Sequence, residues 1–182
     1  MFRPNSARST RAPRRPALPT SLLALVLAPA LTLAPAVHAG PDMAPRAGFA
    51  VMATDKEYDT LLADLSAAVK ANGMGLVTQA GPTEAAAARG IEIPGNRVVG
   101  VFNNDFAVRI LALSTAAMIE APVRFYVTEN ADGTATLSWK PPSQVFAPYV
   151  DEAGPELEAL AAELDGRFEA IAAAAVDQSQ LR

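Results

Sequence analysis

The chain has no cysteine and a single histidine, His38. Without a thiol there is no disulfide, no thiolate nucleophile, no iron–sulfur ligation and no thioether attachment of haem. A lipoprotein anchor is excluded too, because it needs a cysteine at the cleavage site. Long apolar runs are scarce as well. The one stretch that approaches the requirement, Leu22 to Val37, is interrupted by Pro29 and Pro35 and falls short of the roughly 20 apolar residues of a spanning helix.

The flanks of that run carry a message of their own. Arg3, Arg8, Arg11, Arg14 and Arg15 precede it with no acidic residue among them, and it closes in Val37-His38-Ala39, with small residues at the two positions a signal peptidase reads. This pattern predicts a cleaved secretory signal over residues 1–39, cut between Ala39 and Gly40. Pro16 directly follows the Arg14-Arg15 pair and the rest of a twin-arginine signal is missing, so the general secretory route is expected. The chain is read as exported, of periplasmic type, with no stable membrane anchor.

Removal of the signal sharpens the absences. The remaining 143 residues contain neither histidine nor cysteine, and ten basic against 19 acidic residues leave a net charge of −9. Such a surface repels phosphate backbones, so no nucleic-acid partner is expected. Ser-His-Asp and Cys-His catalysis, ordinary zinc sites and histidine-ligated haem or copper are excluded together. No catalytic residue, metal site or cofactor is assigned.

Periodicity outlines one domain over residues 47–178 behind a Pro-containing flexible leader, 40–46. Phe49 to Ala53 reads as a strand. Thr54 and Glu57 have the spacing of a capping box, predicting a helix over 56–71 stopped by Asn72-Gly73. Gly75 to Gln79 is a second strand, and Thr83 caps a short helix to Arg89. Arg97 to Phe102 has the β-branched content of a buried strand, and Asp105 to Leu113 follows as a helix with Phe106, Ile110 and Leu113 on one side. Val123, Phe125 and Val127 alternate with Arg124, Tyr126 and Thr128; Ala135, Leu137 and Trp139 alternate in their turn after an Asn130–Gly133 loop, which makes a β-hairpin. Pro141-Pro142 ends it. A last helix over 155–175 stacks Leu157, Leu160, Leu164, Phe168 and Ile171 on one face. The order β-α-β-α-β-α-β-β-α predicts an α+β fold, a mostly antiparallel sheet with helices packed on one face.

The segment Val98-Val99-Gly100-Val101-Phe102-Asn103-Asn104-Asp105-Phe106-Ala107, with Ala121-Pro122 before the next strand and the Asp132-Gly133 turn, resembles the domain-of-unknown-function family 302. Asn103, Ala107, Pro122 and Gly133 match that family's pattern; Asn104 stands where proline is usual and Ala121 where leucine is usual. The resemblance covers about 49–175. It implies a compact α+β domain, often a homodimer, in a family without an established reaction.

Two groups of residues are candidate ligand-binding positions. Asn103, Asn104 and Asp105 lie where a strand meets a helix, a place where backbone N–H groups point at ligands; capping by Asn104 or Asp105 is the structural alternative. Arg109, Arg124, Tyr126 and Trp139 would line a pocket for an anion or an aromatic ligand if the hairpin approaches the third helix, whereas strand alternation alone puts Arg124 in solvent and Trp139 in the core. Asp151, Glu152, Glu156 and Glu158 lack a calcium-loop pattern and suit a helix start. The expected function is a non-catalytic module that binds a small ligand or an exported protein partner. Two alternatives stand beside it: a small enzyme using carboxylate acid–base chemistry, and a redox accessory protein with copper or haem held by Met43, Met52, Met74 or Met118, which show no M-x-x-M spacing.

Overall fold

The computed structural model describes residues 42–177, so the expected signal at 1–39 lies outside the described residues. Five strands form one sheet: β1 (Ala50–Glu57), β2 (Gly75–Ala80), β3 (Asn96–Phe102), β4 (Val123–Glu129) and β5 (Thr134–Trp139). Their spatial order is β1-β5-β4-β3-β2, and every neighbouring pair is antiparallel. The expected α+β class and order of elements are found, with short helices added.

Strand parity decides the two faces of the sheet. Val99 and Val101, Val123, Phe125 and Val127, and Ala135, Leu137 and Trp139 are buried together on the inner face. Helices α1 (Tyr58–Ala71), α3 (Asn104–Leu113) and α6 (Pro155–Val176) cover that face with Leu61, Leu65 and Val69, with Phe106 and Ile110, and with Leu157, Leu160, Leu164, Phe168 and Ile171. The five apolar residues expected on the last helix are all buried. Phe125 of the central strand stacks on Phe168 with centroids 4.4 Å apart and meets Trp139 at 5.7 Å with the rings tilted by 59°. A fully buried phenylalanine or leucine contributes about 1.5–3 kcal/mol, so this layer supplies most of the driving force.

The helix starts depart from expectation. The Thr54–Glu57 capping box does not form, because β1 runs on to Glu57 and α1 begins only at Tyr58. Thr54 sits within a register irregularity between Ala53 and Glu57; its hydroxyl donates to the Ala135 carbonyl at 2.8 Å and accepts from Lys56 N–H at 3.2 Å. A threonine in a bulged edge strand satisfies the neighbouring strand instead of a helix. Thr83 does not cap either. Helix α2 (Thr83–Ala87) has Pro82 at its N-cap, and the Thr83 hydroxyl lies 3.4 Å from the Pro94 carbonyl. The stop of α1 is as expected, with Gly73 at φ +69°.

Between the third and last helices the chain is more structured than periodicity suggests. A 3-10 turn spans Ala117–Glu120, and the Ala121–Pro122 peptide that follows is cis. Past Pro141, helix α4 (Pro142–Phe146), a 3-10 turn (Ala147–Tyr149) and α5 (Val150–Ala153) place Phe146 in the core. Helices of four or five residues are too short to display a period, and tertiary contacts hold them.

Lys56 ties the two ends of the domain together. Its ammonium is buried and donates to Asp64 Oδ2 at 2.6 Å and to the carbonyls of Ala175 at 2.8 Å and Asp177 at 2.9 Å. Those carbonyls close α6, where a cation also complements the helix dipole. Lys56→Met is expected to lower unfolding free energy by about 3 kcal/mol, since it strands buried acceptors and removes an ion-pair partner. Urea unfolding checks this: the midpoint should fall with the slope unchanged, whereas a wild-type midpoint would show that the clamp contributes nothing.

Candidate functional site

The face of the sheet opposite the helices carries the alternate residues. Register places Val98 opposite Tyr126, Gly100 opposite Arg124, and Tyr126 opposite Ser138. Pro122 can sit beside β3 only because residue 100 is glycine: a Cβ there would lie 2.9 Å from Pro122 Cγ and 2.1 Å from Thr78 Oγ1. Over these strands opens a cleft of about 410 Å³, bounded by Phe49, Asn96, Val98, Arg124, Tyr126 and Lys140. Val123, Phe125 and Trp139 of the core border it too, as does Val145, which packs against that core.

Polar groups in the cleft are mostly donors. Asn96 Nδ2 donates to the Tyr126 hydroxyl at 2.5 Å, which leaves the tyrosine proton available for another acceptor. Lys140 Nζ stands 5.5 Å and Arg46 Cζ 5.7 Å from the centroid of the Phe49 ring, so two cations share one aromatic group. Arg124 is exposed and takes part in none of the ion pairs found among the described residues. Glu120 is the one carboxylate among the described lining residues, and it accepts the Tyr149 hydroxyl proton at 2.8 Å. That hydrogen bond raises the Tyr149 hydroxyl above the usual tyrosine range, with desolvation and the Glu120 charge adding to it.

The sequence-level candidates separate into three places. Arg124 and Tyr126 are in the cleft. Trp139 is 6% exposed and packs on the opposite side of the sheet from them, as strand alternation requires. Arg109 lies in the helical layer, where it pairs with Glu163 at 2.9 Å and covers the Phe106 ring at 5.5 Å. The pocket that would unite Arg109 with the hairpin is therefore not formed, because the sheet stands between them.

Asn103, rather than Asn104 or Asp105, caps α3. Its Oδ1 accepts from the N–H groups of Asp105 at 2.9 Å and Phe106 at 3.2 Å, while its Nδ2 donates to the Gly73 carbonyl at 2.9 Å. The cap thus occupies two of the backbone donors that an anion would use, and it joins α3 to the turn after α1. Asn104 and Asp105 are exposed at the rim of a shallow depression beside Gly73 and Val77. Phe49, Asn96, Val98 and Lys140 were not among the candidates; parity along each strand was readable, but the register that aligns them with Tyr126 is a long-range property.

A scan against protein families matches residues 50–175 to the domain of unknown function DUF302. The chain belongs to the DUF302 family. Among solved structures, the crystal structure of an uncharacterized conserved DUF302 protein from Bacillus stearothermophilus is similar, with a TM-score of 0.63 and 18% identity over 72% of this chain and all of that one. No curated protein matches the chain. This DUF302 domain thus keeps its family's fold, and the resemblance carried by Val98 to Gly133 is confirmed.

A second cleft of about 540 Å³ opens beside the start of α1 and is lined by Tyr58, Glu84, Gly95, Arg97 and Glu129 among others. Glu84 pairs with Arg97, and Glu129 Oε2 accepts from Gly95 N–H at 2.6 Å. A backbone N–H and the Arg97 side chain hold the exposed Glu84 carboxyl below the usual carboxylate range. A general acid needs the opposite shift.

The cap yields a direct test. Asn103→Ala is expected to cost about 1–2 kcal/mol, from loss of the cap and of the bond to Gly73. Asn103→Asp should fall between the two, since it keeps the acceptor and loses the donor. Chemical denaturation of the three proteins measures the order, and equal stability of Asn103→Ala and wild type would contradict the capping role.

Proposed function

We propose that this DUF302 chain is an exported, non-catalytic binding module whose ligand site is the cleft on the uncovered face of the sheet. The observation that carries this reading is a concavity of about 410 Å³ with apolar walls and a few convergent donors, Arg124, Tyr126 and Lys140. Small-molecule sites have this size and composition. Export is supported by the arginine-rich start, the apolar run and Val37-His38-Ala39. A non-catalytic role is supported by the lack of histidine and cysteine after residue 39, and by Glu120 having no second carboxylate beside it among the described lining residues. The carboxylate-enzyme alternative draws no support from the second cleft, where Glu84 is stabilised in its charged form.

Native mass spectrometry of the protein isolated from the exported fraction tests the proposal. The expected species begins at Gly40 and carries a low-mass ligand, and Val98→Trp, which fills the cleft from an exposed-side position, should arrive folded and without it. Equal ligand content in both proteins, or none in either, counts against the cleft as a binding site. A chain retaining residues 1–39 counts against export.

A further inference from the structure

We infer that the cleft takes a small organic anion, a carboxylate or comparable acidic group carried on a flat apolar body; this rests on the cleft being a binding site. The chain beyond residue 39 has a net charge of −9, and an acidic protein ordinarily distributes its few cations as partners of its carboxylates. Lys56, Arg97 and Arg109 are so paired. Six other cations among the described residues form no such pair; Lys70, Arg89 and Arg167 lie elsewhere, whereas Arg124, Lys140 and Arg46 gather at or beside one apolar cleft, and the latter two are held there by the Phe49 ring. Three like charges gathered there against one lining carboxylate, Glu120, repel one another, and an anion entering the cleft relieves that repulsion.

Hydrogen bonding points the same way. The Tyr126 hydroxyl already accepts from Asn96, so its remaining capacity includes a donated proton. Arg124 and Lys140 are donors only. The one carboxylate among the described lining residues, Glu120, already accepts the Tyr149 hydroxyl proton at Oε1. A ligand that satisfies the site must bring acceptors, and a carboxylate bound by a guanidinium and a hydroxyl makes charge-assisted bonds. Val98 and Phe49 supply the surface for an apolar body, which bare inorganic anions lack.

Titration calorimetry with three probes decides the ligand class: indole-3-acetate, its neutral analogue indole-3-acetamide, and inorganic phosphate. Indole-3-acetate is expected to bind at least about tenfold more tightly than either other probe, a difference equal to one good charge-assisted contact. Arg124→Gln should abolish that preference, and Arg109→Gln, on the helical side, should change nothing. Equal affinity for the acid and the amide overturns the anion while leaving the cleft a binding site. Phosphate binding as tightly as indole-3-acetate overturns the apolar body. Absence of binding by all three overturns the inference, and if the exported protein also lacks a ligand the binding reading falls with it.

Discussion

Phe125 stacked on Phe168 joins the middle of the sheet to the middle of the longest helix, and the remainder of the domain is arranged around that contact. It requires β4 to present Val123, Phe125 and Val127 inward, which forces Arg124, Tyr126 and Thr128 outward. Helices α1, α3 and α6 all bury their apolar stripes on the same side. The sheet is consequently one-sided. Its other face is free to carry chemistry that a buried face could not tolerate, and the cleft with Arg124 and Tyr126 occupies it.

Polar groups inside the scaffold are deployed with economy. Asn103 uses both ends of its amide, one for the start of α3 and one for the turn after α1. Lys56 uses all three protons on Asp64, Ala175 and Asp177. Each joins elements that are far apart in sequence, where an unmatched group would cost on the order of 1–3 kcal/mol. The cleft donors Arg124 and Lys140 stand in contrast, because neither takes part in an ion pair found among the described residues.

Most of the architecture was readable from local pattern. Alternation in Val123–Glu129 and Thr134–Trp139 revealed the hairpin and its buried side, and the spacing of Leu157, Leu160, Leu164, Phe168 and Ile171 revealed the last helix with its inner face. Expectation and structure part where a residue has two local uses and tertiary structure chooses between them. Thr54 has the spacing of a cap but completes a bulged strand pair; Asn103, rather than its neighbours, became the cap because Gly73 lay within reach. Short helices over 142–153 left no period to find. At the candidate site, Arg124 and Tyr126 were visible as outward residues of one strand. Asn96, Val98, Phe49 and Lys140 join them through strand register, which no window of sequence contains.

The place of β1 at the sheet margin has a consequence for the order in which the chain can assemble. Among the described residues its only strand partner is β5, and the bond from Thr54 to Ala135 spans 81 residues. The β4–β5 hairpin closes only a short loop, whereas β1 must wait until β5, four elements and more downstream, has been delivered. A chain delivered amino end first therefore presents its first strand long before that strand has anything to pair with. Its brevity before the bulge, and the charged Asp55, Lys56 and Glu57 at its end, protect it from pairing with a neighbouring chain during that interval.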